Sequence, residues 1–297
     1  MKRVIITGAG GFVGSELTRK LVENQIHVTA ISLNFNDTFP NSPLVTRIET
    51  KITDSETLLG VIPQKEYDVF YHFAWVGVNG PQKADPLVQL DNAKMTITCA
   101  DTAKQLGCKK FLCSGTVAEK AVESLSHLKV TNGGMIYGVA KHCTHLMLDT
   151  YCKNIGLNFI WMQFSNIYGP QNKTGNLVSY TLSEVLQGRE ATFGPALQPY
   201  DFIYVVDLIE AVYRLGICDT QKNQYLIGSG EPRILKEYLA EIGEVCKKQE
   251  LIKIGVRPDD GIVYNMDMFD NSDLKKDIGN YVSKSFSEGI RFTVENY

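Results

Sequence analysis

Short apolar runs alternate along this chain with stretches whose apolar positions recur every three or four residues. "KRVIITG" is a run of β-branched residues stopped by glycine, and it predicts a buried strand. "GSELTRKLVENQ" follows with Leu17, Leu21 and Val22 at helical spacing, and "IHVTAISL" predicts a second strand. No element is predicted between that strand and "DSETLLGVI". There Asp54 is a candidate N-cap, with Glu56 in the first turn of a helix. "YDVFYHFAW" predicts a strand, "DPLVQLDNAKMTITCADTAKQLG" a long helix ending at Gly107, and "KKFLCSG" a further strand. "GVAKHCTHLMLDTYCKNIG" predicts a helix ending at Gly156, and "LNFIWMQFSN" a strand after it. Alternating strands and helices, with strands that are continuous apolar runs, demand a parallel sheet covered on both faces.

The alternation loosens after Asn166. Residues 169–199 are rich in Gly, Pro and Asn around one helix, and "YDFIYVVDLIEAVYRLG" then restores strand and helix. The expected architecture is α/β: a doubly wound parallel sheet with a smaller mixed α/β lobe. The sheet domain is expected over 1–168, rejoined by about 199–227. The lobe is expected from 169–198 and 228–297.

Composition narrows the partners. The 297 residues carry a formal net charge of −3, so no basic field exists to hold a phosphate backbone, and nucleic acid is not an expected partner. The first apolar run breaks too soon for a signal peptide, and no later one is long enough to cross a membrane. Seven scattered cysteines without a CxxC pair fit a reduced, cytoplasmic protein. His142 and His145 lie close on one helix, but lack an acidic or cysteine partner at ligand spacing, so no metal site is expected.

Candidate chemistry starts in "VIITGAGGFVGSEL", where Gly8, Gly11 and Gly14 sit between the first strand and the first helix. In a dinucleotide site one such glycine makes the tight turn. Another lets backbone N–H groups approach the pyrophosphate, and a third lets helix pack on strand. "GGMIYGVAK" then puts Tyr137 and Lys141 one helical turn apart on one side. By spacing alone this pair is chemistry or a tyrosine packed on a lysine stem.

The glycine spacing with the downstream Tyr-xxx-Lys resembles the short-chain dehydrogenase/reductase family. The extended branch is the nearest in pattern, the NAD-dependent epimerase/dehydratase group acting on nucleotide sugars. The resemblance runs nearly end to end, through "TGAGGFVG", "HFAW", "LDNAKMT", "KKFLCSGTVAEK", "YGVAK", "FSNIYGP", "YDFIYVVDL" and "GVRPDD". It implies that Tyr137 is the acid/base and that Lys141 tunes it and holds the nicotinamide ribose. A free tyrosine titrates near pKa ~10, and a cation one turn away is expected to lower it. Thr116 is expected to hold the sugar oxygen, with Ser114 as the fallback.

Cofactor contacts are implied for the three glycines, Phe12, Val13 and Ala74, and for Ser32 and Asn34 at the end of the second strand. Trp75 departs from the small residue usual in the branch. An acid near the end of that strand binds the ribose 2′-OH in NAD enzymes of this fold. Ser32 stands there instead, so NADP(H) is favoured, with NAD(H) left open. For a nucleotide-diphosphate sugar the implied contacts are Asn166, Asn176, Leu177 and Arg257, whose guanidinium suits a diphosphate. Tyr200 stands where an arginine is usual, and Lys173 is a candidate replacement.

Three reactions share this scaffold. Dehydratases of the branch follow the threonine with Asp-Glu, whereas Val117 and Ala118 follow Thr116 here. "GTVAE" resembles reductases of 4-keto-6-deoxy nucleotide sugars, in biosynthesis serving surface polysaccharide. An NAD-dependent UDP-hexose 4-epimerase is the alternative, and a silent NAD(P) sensor a remoter one. The resemblance also implies a homodimer. The helices near 86–106 and 137–154 would form a four-helix bundle, with Cys99, Met147 and Leu148 as its apolar surface.

Overall fold

The computed structural model describes residues 1–123, 133–172, 174–259, 261 and 264–297. Its main sheet has seven strands: β1 (Arg3–Thr7), β2 (His27–Ser32), β3 (Val45–Glu49), β4 (Val69–His72), β5 (Lys110–Thr116), β6 (Asn158–Phe164) and β11 (Gln224–Ile227). All are parallel, in the order β3-β2-β1-β4-β5-β6-β11. Parallel neighbours need crossovers. Helices α1 (Phe12–Glu23), α2 (Ser55–Val61), α3 (Pro86–Gln105), α4 (Ala118–Val122) and α5 (Met135–Ile155) lie within them.

Strand periodicity sends alternate residues to opposite faces. Val4 and Ile6 enter a core shared with Leu17 and Leu21 of α1 and with Leu208 and Leu215 of α7 (Val205–Ile217). Ile5 enters the other core, with Leu58 of α2, Ala100 and Ala103 of α3, and Leu148 of α5. Both faces are covered, so the strands can be apolar throughout. Full burial of each such side chain contributes roughly 1.5–3 kcal/mol.

Outside the main sheet, mostly in the part of the chain expected as the lobe, stand three small ladders. β7 (Asn166–Tyr168) pairs in parallel with β10 (Phe202–Tyr204). β8 (Ala191–Thr192) pairs in parallel with β13 (Ile252–Lys253), and β9 (Pro199–Tyr200) antiparallel with β12 (Arg233–Ile234). Helices α6 (Leu177–Leu186), α8 (Leu235–Cys246), α9 (Ser272–Ile278) and α10 (Phe286–Glu295) complete it. Val178, Leu182, Leu239, Ile242 and Ile290 join the same core as α1 and α7, so apolar packing runs on from sheet to lobe.

Asp54 caps α2 by accepting from the Thr57 amide at 2.7 Å, and Gly156 ends α5 in the left-handed region. β3 had no predicted counterpart. Of its five residues none is buried, because it is an edge strand open to solvent, so it lacks the apolar run that marks the inner strands. α1 begins at Phe12, earlier than its apolar periodicity indicates, since Gly11 is its N-cap. No helix among the described residues is long and apolar enough to cross a membrane.

Strand order reverses between β1 and β4, whose connections leave to opposite sides. That opens a crevice at their carboxyl ends, where ligands bind in doubly wound sheets.

Candidate active site

The crevice is lined by the turn after β1. Gly8 has φ +70°, and a Cβ on it would stand 2.6 Å from the Ala74 nitrogen just past β4. A Cβ on Gly14 would stand 2.3 Å from the Gly8 oxygen. Gly8 and Gly14 therefore have no room for a side chain, and the turn leaves a largely bare backbone cradle. Gly11 caps α1 without a side chain, and the first amides of a helix, here at Phe12 and Val13, have no intrahelical acceptor. Such a helix start attracts a phosphate. Ser32, half-buried at the end of β2, and exposed Asn34 stand beside the same turn: a Cβ on Gly10 would meet Ser32 Oγ at 2.8 Å and the Asn34 oxygen at 2.3 Å. Arg47 of β3 donates from one guanidinium nitrogen to the Phe39 and Pro40 carbonyls and lies over the Phe39 ring. These residues fit a dinucleotide, with its pyrophosphate on the glycine turn and its adenosine ribose near Ser32.

The second half of the site lies at the end of β5 and the start of α5. Thr116 closes β5, its hydroxyl accepts from the Ala118 amide at 3.2 Å, and it lies near enough to Tyr137 to pull that phenol's pKa down. Lys141 is 2% exposed, and its ammonium donates to the Ser114 carbonyl at 2.5 Å. It also stands 3.7 Å from the centroid of the Trp75 ring, a cation–π contact. Trp75 is fixed by its Nε1–H, which donates to Gln89 at 2.8 Å, and it meets the Tyr137 ring edge-on at 6.2 Å. An ammonium has three donors, so after Ser114 Lys141 keeps N–H groups for a ribose hydroxyl.

Burial dominates the electrostatics. It holds Lys141 down to about 8, with Cys113 and Glu119 opposing. It raises Tyr137 well above its ordinary value, with the nearby Thr116 side chain opposing. This corrects the expectation that a neighbouring cation lowers the tyrosine: Lys141 is turned to Ser114 and Trp75. His72 is fully buried and held down to about 3, first by burial and then by Lys141. Its Nδ1 pairs with Thr7 at 2.7 Å and its Nε2 with Thr96 at 3.1 Å. Thr96 gives its proton to the Asn92 carbonyl, so the neutral ring donates from Nε2 and accepts from Thr7 at Nδ1.

The implied substrate residues divide. Leu177 and Arg257 line one cleft of about 390 Å³, together with Tyr180, Thr192, Phe193 and Pro258. Arg257 is exposed, and it is aimed by Thr192 Oγ1 and the Tyr180 hydroxyl, each at 2.7 Å. Asn176 caps α6, accepting from Ser179 and donating to the Ile167 carbonyl at 2.7 Å, so its side chain is committed to the fold. Asn166 donates to the Asp201 carbonyl at 3.0 Å. Tyr200 packs against Phe202 and Tyr264 and does not line the Arg257 cleft. Lys173 lies outside the described residues.

Among the described residues no group of three or more His, Cys, Asp or Glu is placed to hold a metal ion. His145 instead stacks on Trp161 at 5.0 Å. Sequence reasoning left Glu119 without a role. Its signal was present in Thr116-Val-Ala-Glu119, the Ser/Thr-x-x-Glu spacing in which the glutamate turns back to the first amide.

Residues 4–228 match the NAD dependent epimerase/dehydratase family, and the chain belongs to it. Over 290 residues it is 23% identical to a probable UDP-arabinose 4-epimerase of Arabidopsis thaliana, a match covering 85% of this chain and 70% of that one. Its fold is similar to that of a Thermotoga maritima UDP-glucose 4-epimerase solved with UDP-glucose, with 22% identity, TM-score 0.84, and 99% and 98% of the two chains covered. It is also similar to the Thermus thermophilus UDP-glucose 4-epimerase complex with NAD, with 20% identity, TM-score 0.78, and 99% and 98% covered.

Proposed function

We propose that this protein reduces the C4 keto group of a nucleotide-linked 4-keto-6-deoxyhexose, using NADPH, within nucleotide-sugar biosynthesis for surface polysaccharide. The observation that carries this is the placing of the half-buried Tyr137 phenol near the Thr116 hydroxyl at the end of β5, with desolvation holding it protonated. A ketone oxygen being reduced needs a proton donor, and a protonated phenol held beside a second hydroxyl meets that need. The bound nicotinamide would supply the hydride. Thr116 orients the sugar oxygen, Tyr137 gives it the proton, and Lys141 holds the ribose. Arg257 takes the diphosphate at the mouth of its cleft. Val117 and Ala118, apolar after Thr116, supply no acid pair for elimination.

A 4-epimerase is the second reading, favoured by the activities named for the similar proteins above. An epimerase keeps its NAD through the cycle, whereas a reductase must exchange cofactor at each turnover. Ser32 stands where NAD enzymes of this fold carry an acid on that strand, which favours NADP(H). Purified protein is therefore expected to carry less than stoichiometric nicotinamide cofactor, and to bind NADPH more tightly than NADH in fluorescence titrations. Stoichiometric NAD after purification, or tighter NADH, contradicts the reductase reading.

The homodimer belongs to the same reading. Cys99 and Leu148 face the interior and are 0% exposed, because they pack beneath the sheet. The apolar surface of the packed pair α3 and α5 comes instead from Leu87, Leu90, Leu146 and Met147. Light scattering at micromolar concentration is expected to give twice the chain mass, and a monomer mass overturns the dimer.

A further inference from the structure

Beneath the reacting groups lies a carboxylate that the proposed reaction does not use. Glu119 is 0% exposed. It accepts from the Thr116 amide at 2.7 Å, from Trp161 Nε1 at 3.1 and 3.0 Å to its two oxygens, and from Gln163 Nε2 at 3.0 Å. Space for it is built in: a Cβ on Gly115 would stand 2.3 Å from Trp161 Nε1 and 2.7 Å from the Glu119 oxygen. A buried ionised group is costly, and apolar residues often fill such a volume at no loss of stability. Burial pushes the Glu119 carboxyl up, while its Gln163, Thr116 and Trp161 donors hold it down. All three partners are N–H donors, which suit an acceptor-only carboxylate, so a charge kept at the back of this site calls for a role in it.

We propose that Glu119 is a positioning residue: it fixes the Thr116 hydroxyl by gripping the Thr116 amide, and its buried charge keeps Lys141 an ammonium. The inference rests on Thr116, Tyr137 and Lys141 being the reacting set. From α5, His145 Nδ1 stands 4.0 Å from Glu119 and Lys141 Nζ stands 5.7 Å from the ring centroid of its partner Trp161; Tyr137 of α5 and Cys113 of β5 also lie within its electrostatic reach. On its own helix and turn, Lys120 and Glu123 pair with each other at 3.5 Å. Burial holds His145 down to about 4 and pushes Cys113 up to about 12, so both are neutral at pH 7. Lys141 is then the cation facing Glu119 among these groups. A negative charge favours the protonated form of both Lys141 and Tyr137, so removing it moves both titrations to lower pH.

The test is a pH titration of the Lys141 side-chain resonance in ¹³C-lysine-labelled protein, assigned with Lys141→Met, alongside the pH profile of kcat. In Glu119→Gln the Lys141 midpoint is expected to fall by roughly 0.5–1 pH unit, and the alkaline limb of kcat to fall with it. Glu119→Asp keeps the charge but is too short to reach the Thr116 amide. It is expected to hold the wild-type midpoint while kcat drops, and it keeps the proposal falsifiable where the glutamine variant does not fold. A folded Glu119→Gln protein with an unchanged Lys141 midpoint overturns the charge role, and a wild-type kcat in Glu119→Asp overturns the Thr116 role. If the wild-type protein turns over no nucleotide sugar, the functional reading fails, and the lysine titration still decides the charge role of Glu119.

Discussion

Tyr137→Phe is expected to lower kcat by roughly 10²–10⁴-fold, the usual worth of one positioned acid. The ring remains, so its edge-on contact with Trp75 remains, and only the hydroxyl is lost. NADPH affinity should stay at the wild-type value, because Tyr137 acts on the sugar oxygen. Single-turnover kinetics with separate cofactor titration checks both halves. Substantial residual turnover would place the acid elsewhere.

Lys141→Met is expected to strike rate and cofactor binding together. An ammonium hydrogen-bonded to a ribose hydroxyl is a charge-assisted contact, so its loss should weaken NADPH roughly 10- to 100-fold. Methionine fills the buried channel between Ser114 and Trp75 without a charge, which limits the cost to folding. The wild-type protein should show the same dependence on pH. Lys141 is held down to about 8 by burial, so it is an ammonium below that pH and loses its proton as pH rises through it. NADPH affinity is therefore expected to fall above about pH 8 in the wild type and to be flat there in Lys141→Met. Equal affinities at pH 7 would contradict the ribose contact.

The inner strands were legible because both their faces are buried, so Val4, Ile5 and Ile6 all had to be apolar. β3 was not, since an exposed edge strand carries no such constraint. The glycine turn was legible in physical terms, as Gly8 and Gly14 have no room for a side chain. The Tyr137 and Lys141 pair was legible as neighbours on one helix face, but its electrostatics was not. Burial of Tyr137 and the turn of Lys141 toward Ser114 and Trp75 depend on β4 and β5, which are distant in sequence. The same holds for Glu119, whose partners Trp161 and Gln163 come from β6. The lobe was the least legible part. Asn176 is an N-cap by its local sequence, whereas Arg257 and Leu177 meet only once β13 has paired with β8.

Reduction at C4 is tested most directly by following the label from [4-²H]NADPH. With a nucleotide-linked 4-keto-6-deoxyhexose as substrate, the account predicts deuterium at C4 of the product sugar and one NADP⁺ formed for each sugar reduced. Interconversion of UDP-glucose and UDP-galactose with no net NADPH consumed and no deuterium in the sugar would contradict it.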